Sequence, residues 1–284
     1  MRSLDDREGA KAIHDLLLAH RRRYDIAGLL GLILAAFSCS VLGGSSTLDR
    51  IRVAGEVRVC IWPEYYSISY RNPRTQVLTG IDIELAKELA GALVVKPNFI
   101  DSSFVRLVDD VNDGRCDIAM FAIGITPLRS QKLRFTSPHL ASDIYAIASK
   151  TNSGIRRFED IDQPGVVIAV ARGTLHEPVM KEKIRKGTVV VLDTPFAREQ
   201  EVQAGRADVF MTDYPYSQRF LVNAEWARLV PRTSTYHVTP YAFAMKLGDD
   251  GWYDYVESFI RQVKADGRLR AAAERNGLLP ILAK

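Results

Sequence analysis

The chain has 284 residues, 47% of them hydrophobic and 25% charged, a globular composition that excludes a disordered, collagenous or disulfide-dense polypeptide. Its 38 lysines and arginines against 34 acidic residues leave a formal charge of only +4, too even a balance to favour a nucleic-acid-binding surface. Three cysteines without CxxC spacing and five histidines without an HExxH pattern offer no zinc or redox motif, so no metal or cofactor is expected.

Residues Ile26 to Gly44 carry no charge and follow Arg21, Arg22 and Arg23 with only Tyr24 and Asp25 between, the order expected when cationic residues stay on the cytoplasmic side of a membrane. The length of this stretch falls between a long signal-peptide core of about 15 residues and a spanning helix of about 20, so cleavage and anchoring both stay open. Ala36-Phe37-Ser38-Cys39 is a faint lipoprotein box, with Ala36 where a leucine-like residue belongs, and a plain apolar cysteine is the preferred reading. The expectation is a basic cytoplasmic segment over 1–25, a membrane-contacting signal or anchor over 26–44, and an exported remainder.

From Glu56 the stretch EVRVCIW reads as a strand. After a loop rich in tyrosine and proline, Ile81, Leu85 and Leu89 recur at helical spacing, and Asp82 and Glu84 place carboxylates against the positive helix end. Lys96 to Asp101 predicts a second strand. Ser102 or Ser103 can cap a helix whose Phe104, Leu107, Val108 and Val111 keep i, i+3, i+4, i+7 spacing as far as Gly114. A third strand follows from Asp117 to Ile123, and this alternation implies a mostly parallel sheet covered by helices.

Gly114-Arg115-Cys116-Asp117-Ile118-Ala119-Met120 then returns as Gly205-Arg206-Ala207-Asp208-Val209-Phe210-Met211. Both copies stand at a helix-to-strand junction, which predicts two α/β lobes of related design. The second lobe, 146–236, is read with strands over Val166–Val170, Thr188–Leu192 and Asp208–Thr212. Its helices start near Glu177, with Pro178 in the first turn, and run over Phe196–Ala204. Strand Tyr241–Met245 and an amphipathic helix carrying Trp252, Val256, Phe259, Ile260 and Val263 return to the first lobe, which comprises 52–145 and 237–284. Two crossings, near Asp143–Ile147 and Tyr236–Tyr241, predict a hinged cleft.

Over nearly all of Arg52 to the carboxyl terminus these residues resemble the extracellular solute-binding proteins of family 3, the amino-acid receptors of ABC importers. Gly80-Ile81-Asp82-Ile83-Glu84-Leu85, with Leu89, Ala90 and Leu93, is similar to the family's signature helix. Gly124-Ile125-Thr126-Pro127-Leu128-Arg129 with Phe135-Thr136-Ser137-Pro138 is similar to its ligand segment, and Phe158-Glu159-Asp160-Ile161, Gly173-Thr174 and Thr212-Asp213 follow in the family's order. The resemblance implies the two-lobed type II periplasmic-binding-protein fold, each lobe a mostly parallel sheet flanked by helices. It also implies a periplasmic monomer, free or anchored to the inner membrane, that captures an amino acid or related small carboxylate and delivers it to an ABC permease.

On that resemblance Arg129 is the first choice to clamp a carboxylate, because a guanidinium supplies two parallel charge-assisted bonds; without it, a solvated arginine beside Lys132 and Arg134 would be preferred. Thr174, before a helix, adds a hydroxyl and an N–H or acts as a simple cap. Asp213, at a strand end, accepts from an α-ammonium group or caps the next helix. Tyr65 matches the family's stacking aromatic. Gly124 departs from a frequent serine or threonine and removes a hydroxyl, and Trp62 stands where receptors for cationic amino acids can carry an acid. Aromatic walls from Trp62, Tyr65, Tyr66, Tyr214 and Tyr216 favour polar uncharged, apolar or aromatic side chains over arginine or lysine, with Glu64 as the counter-argument. Cys60 and Cys116 are read as two buried thiols in preference to a bridge.

A related branch of the fold, the periplasmic cyclohexadienyl dehydratases, uses a glutamate shortly after the Gly-Thr turn as an acid, and Glu177 occupies a comparable place. A first-turn helix residue is the preferred reading of Glu177. A membrane-tethered sensor module is the third alternative, and His139, His176 and His237 have no recognisable partners in sequence.

Overall fold

The computed structural model describes residues 46–194 and 196–283, so the segments expected over 1–25 and 26–44 lie outside the described residues. In chain order the elements are α1 (Thr47–Ala54), β1 (Glu56–Ile61), β2 (Tyr70–Arg71), β3 (Leu78–Thr79), α2 (Ile81–Leu93), β4 (Lys96–Asp101), α3 (Leu107–Asn112), β5 (Ile118–Gly124), α4 (Pro127–Ser130), β6 (Leu133–Phe135) and β7 (Leu140–Ser142). Then follow β8 (Ile144–Ser149), β9 (Val167–Ala171), α5 (His176–Lys183), β10 (Thr188–Leu192), α6 (Ala197–Gln203), β11 (Val209–Asp213), α7 (Tyr214–Asn223) and β12 (Ala227–Leu229). The chain closes with β13 (Thr239–Lys246), α8 (Asp250–Ala265) and α9 (Arg268–Arg275). No helix among the described residues is long and apolar enough to cross a membrane.

Two main sheets result. One has the order β4-β1-β5-β13-β6, with β7 paired to β13, and the other the order β10-β9-β11-β8-β12. In each, three neighbouring strands run parallel, as the strand–helix alternation predicts, while β13 and β8 join antiparallel to β5 and β11. These antiparallel additions are the strands at which the chain passes between sheets. Ser142 pairs with Thr239 in the first sheet, Ile144 pairs with Asp213 in the second, and Asp143 alone separates them. The Asp143 carboxylate accepts from the amides of Tyr236 (2.9 Å) and His237 (2.6 Å) on the returning segment and pairs with Arg232. Both crossings are therefore fastened side by side at one carboxylate.

The repeated heptapeptide builds the same joint in each sheet. Asp117 exchanges two hydrogen bonds with the backbone of Arg58, donating its N–H to the carbonyl (2.9 Å) and accepting the amide at Oδ2 (2.7 Å). Asp208 does the same with Val167, at 2.9 and 2.8 Å. A short carboxylate just ahead of a strand can reach the residue that precedes the first paired one on its parallel neighbour, so the pair sets register where the ladder begins.

Helix α8 is amphipathic as its spacing predicts. Asp249 caps it by accepting from Trp252 N–H at 3.0 Å, and Trp252, Val256, Phe259, Ile260 and Val263 are buried. Each large apolar side chain so buried contributes about 1.5–3 kcal/mol. The Trp252 indole N–H donates to the Asp117 carbonyl at 2.9 Å, tying the helix to the joint just described.

Two local expectations are corrected. Cys60 and Cys116 form a disulfide, not two thiols. Cys60 pairs with Ala119 in the β1–β5 ladder and Cys116 stands just before β5, which brings their Cα atoms to 5.6 Å, within disulfide range. The helix expected from Phe104 begins only at Leu107, because Ser102 turns its hydroxyl to Asp110 (2.6 Å) while Ser103 accepts from the Arg106 amide, leaving Phe104 in a turn. Asp82 stands in the first turn of α2, as its spacing predicts, and is fully buried there. It accepts the Ala122 amide at 2.7 Å and faces His139 Nε2 at 2.9 Å, supporting a β5 residue whose φ is +48°.

Candidate ligand-binding site

The carboxyl ends of β5, β9 and β11 meet at the seam between the two main sheets, and the positions singled out from sequence gather there. Asp213 ends β11 and caps α7 through Oδ1, which accepts from the Tyr216 amide at 3.2 Å. Its other oxygen accepts hydroxyl hydrogen bonds from Tyr65 and from Tyr241, the latter at 3.0 Å, and both tyrosines belong to the opposite half of the molecule. Capping and cross-seam bonding thus use different oxygens of one carboxylate. Burial pushes the Asp213 carboxyl above its ordinary value, with the tyrosine hydroxyls working against that rise.

Arg129 sits in α4, whose start Thr126 caps with its side chain and Pro127 pre-shapes. Its guanidinium is buried and spans the seam, donating to the Gly124 carbonyl at 3.0 Å and to the Gly173 carbonyl at 2.9 Å. Burial lowers its pKa to about 10, leaving it cationic at neutral pH. Gly124 therefore contributes a carbonyl where a hydroxyl was looked for, and the cationic plane lies 5.3 Å from the centre of the Phe104 ring. Gly173 adopts φ +75°, and a Cβ there would stand 2.8 Å from the Val105 amide nitrogen across the seam, so only glycine permits this approach. Thr174 donates its hydroxyl to the Ala171 carbonyl at 2.7 Å and lies 3.3 Å from His176 Nδ1.

Two cavities share this wall. A deep one of about 20 Å³ touches Tyr65, Thr174, His176, Asp213 and Tyr241, and an outer cleft of about 190 Å³ opens toward Glu64, Arg172 and Asp193. Trp62, Phe104, Thr174, Arg198 and Tyr216 line both. Trp62 packs edge-on against Phe104 at 5.2 Å and lies 5.2 Å from Tyr65. Of the aromatics expected as walls, Trp62, Tyr65 and Tyr216 take that place. Tyr66 stacks on Tyr70 and faces an outer groove, while Tyr214 packs on Tyr145.

Several lining residues escape sequence reasoning. Phe104 is hidden by its fit to a helical apolar stripe. Arg198 and Glu199, in the first turn of α6, read as an ordinary charged helix surface but are buried, with Arg198 Nε donating to Glu199 Oε1 at 2.7 Å and Nη1 to the Met211 carbonyl at 2.9 Å. Burial by itself would lower the Arg198 pKa, yet the Glu199 carboxylate beside it raises it. His176 is buried among cations, and burial followed by the Arg198 charge lowers its pKa to about 3. No group of three or more metal-ligating side chains occurs among the described residues.

Glu177 has a separate position. It accepts from the Gly173 amide at 2.9 Å and from Lys181 Nζ at 2.7 Å. Burial raises its pKa, but these donors outweigh that and hold it below the usual glutamate value.

A family model for bacterial extracellular solute-binding proteins, family 3, matches residues 57–277. Cyclohexadienyl dehydratase of Pseudomonas aeruginosa is 30% identical, over 89% of this chain and 93% of its own length. The L-cystine-binding protein TcyJ of Escherichia coli is 25% identical, over 91% and 96%. Among solved structures, the ancestral amino acid-binding protein AncCDT-1, a precursor of cyclohexadienyl dehydratase, superposes with TM-score 0.74 at 32% identity, covering 81% of this chain and 99% of its own. An arginine-bound amino acid ABC transporter substrate-binding protein from Streptococcus pneumoniae shares the fold with TM-score 0.74 at 22% identity, covering 83% of this chain and all of its own.

Proposed function

Because the chain belongs to the bacterial extracellular solute-binding proteins, family 3, we propose that it is an exported receptor that captures an amino acid or related small carboxylate between two closing lobes and presents it to an ABC permease. The lobes on this reading are 52–145 with 237–284, and 146–236, each moving about the Asp143 crossing, and the protein works as a monomer. The observation that carries the proposal is the polar pairing across the seam. Arg129 gives hydrogen bonds to carbonyls on both sides, and Asp213 takes them from Tyr65 and Tyr241 on the far side. A zwitterion supplies the complementary groups, its carboxylate taking the guanidinium donors and its ammonium giving to Asp213, so the ligand replaces protein–protein contacts by contacts of the same chemistry. Thr174 at the same wall adds a hydroxyl oxygen, and Trp62 and Tyr65 cover the ligand's side chain.

A dehydratase is the competing reading, favoured by the similarity to the Pseudomonas enzyme. A general acid must be protonated at working pH. Glu177, the candidate acid, is held ionised by Lys181 and the Gly173 amide, which supports the receptor. We also propose that residues 26–44 direct export and, where retained, anchor the protein to the inner membrane. Native mass spectrometry of the protein purified from cells tests the main proposal: a co-purifying amino acid is expected. Turnover of prephenate or arogenate that Glu177→Gln abolishes would overturn it.

A further inference from the structure

The outer cleft contains a buried charged pair that the α-amino and α-carboxylate groups of a ligand do not need. Arg198 and Glu199 are both at least nine-tenths buried and neutralise one another through the 2.7 Å Nε–Oε1 bond. Arg198 is further fixed by the Met211 carbonyl and by lying 4.6 Å over the Tyr216 ring, so it presents a rigid edge to the cleft it lines. Glu199 Oε2 is buried without a hydrogen-bond partner among the described residues, although the Tyr216 hydroxyl stands near the same carboxylate. A buried carboxylate oxygen without a donor costs more than one that is satisfied, so a group that supplies the bond is favoured there.

We infer that Arg198 and Glu199 form the specificity subsite for the far end of the ligand, and that this end is a neutral amide or ureido group. The inference rests on the receptor reading of the same cleft. The pair carries no net charge, so a cationic or anionic end would lose hydration there with no net opposite charge to offset it. A carboxamide matches both partners at once, its carbonyl accepting from the Arg198 edge and its N–H donating to Glu199 Oε2. The shared lining residues Trp62, Phe104 and Tyr216 run between the Asp213 end and this pair, which suits an apolar linker of a few methylenes. Glu64 and Asp193, which line the same cleft, favour a cation instead, although Asp193 is already paired with Arg172.

The test is calorimetry on the full-length protein in mild detergent with L-glutamine, L-citrulline, L-glutamate, L-arginine and L-alanine. The amide and ureido ligands are expected to bind at least about tenfold more tightly than glutamate, arginine or alanine. Glu199→Gln should weaken them about 10- to 100-fold, the range for losing a hydrogen bond to a buried charge, while leaving the weak binding of alanine unchanged. Arginine as the tightest ligand, with Glu64→Gln abolishing its advantage, would overturn the inference and leave the receptor standing. Equal weakening of alanine and glutamine by Glu199→Gln would also overturn it, by assigning Glu199 a structural role. Absence of binding by all five would overturn the inference and leave the receptor reading to the mass-spectrometric test of a co-purifying ligand.

Discussion

Gly173→Ala isolates the close approach at the seam. The substitution has two costs that can be separated. A left-handed alanine at φ +75° loses about 1–2 kcal/mol wherever the lobes stand. The added methyl then meets the opposite lobe's backbone, 2.8 Å from Val105 N and 3.0 Å from both Phe104 C and Val105 Cα, whereas ordinary carbon contacts lie near 3.5–4.0 Å. Relieving this needs a parting of roughly 0.7 Å or more, which moves Arg129 on one lobe away from Asp213 on the other, so that a ligand bound to both is drawn out of good geometry at one of them. Losing one charge-assisted bond is worth about 1.5–3 kcal/mol, a loss in affinity of about 10- to 150-fold. Gly165→Ala is the matched control, because Gly165 has φ +87° and open space where its Cβ would stand. Calorimetry with the best amino-acid ligand, alongside urea denaturation without it, should show similar stability losses in both variants and an affinity loss in Gly173→Ala alone. Equal affinities in the two variants would refute the argument that contact at Gly173 limits closure.

Arg129→Ala should remove most amino-acid affinity in calorimetry, by about 1.5–3 kcal/mol; unchanged affinity for an active ligand would reject Arg129 as the anchor. Replacing both Cys60 and Cys116 by alanine opens a loop with a sequence separation of 56 and should cost about 4 kcal/mol in denaturant unfolding on the chain-entropy account. His176 has a folded pKa of about 3 against an ordinary value of 6.5, so the unfolded chain binds more protons between these limits and stability falls as pH drops from 6.5 toward 3, by up to about 1.4 kcal/mol per pH unit. His176→Gln should flatten that part of the profile, and identical slopes would show that the imidazole titrates alike in both states. Small-angle scattering should give a smaller radius with saturating ligand than without, and equal radii would count against hinged closure.

What was legible in the sequence follows from the range of the forces involved. Helices such as α8 and the parallel strands β1, β4 and β10 were readable because their apolar spacing is local. The repeated Gly-Arg-x-Asp stretch was readable as an echo, although the work of its aspartates, which reach a neighbouring strand 59 and 41 residues away, needs the sheet itself. Cys60 and Cys116 look like ordinary core cysteines until β1 and β5 are in register. Arg129, Thr174 and Asp213 were reached through family resemblance, since their own local patterns fit caps and surface charge equally well. Arg198 and Glu199 gave no signal because two opposite charges in a helix's first turn are usual on a solvated face, and only their long-range packing against Met211 and Tyr216 distinguishes them.

The placement of Asp143 also bears on the motion that the proposed hinge would allow. A carboxylate that holds the amides of Tyr236 and His237 on the neighbouring crossing acts as a pin joint, fixing the spacing of the two connections while leaving their torsion angles soft. Translation or shear of one sheet across the other would break these bonds, but rotation about them would not. On the proposed hinged closure, the motion would be close to a single angular coordinate, along which displacement grows with distance from the pin. Anything that docks across the outer edges of both lobes would therefore read a small change of angle at Asp143 as a large change of span.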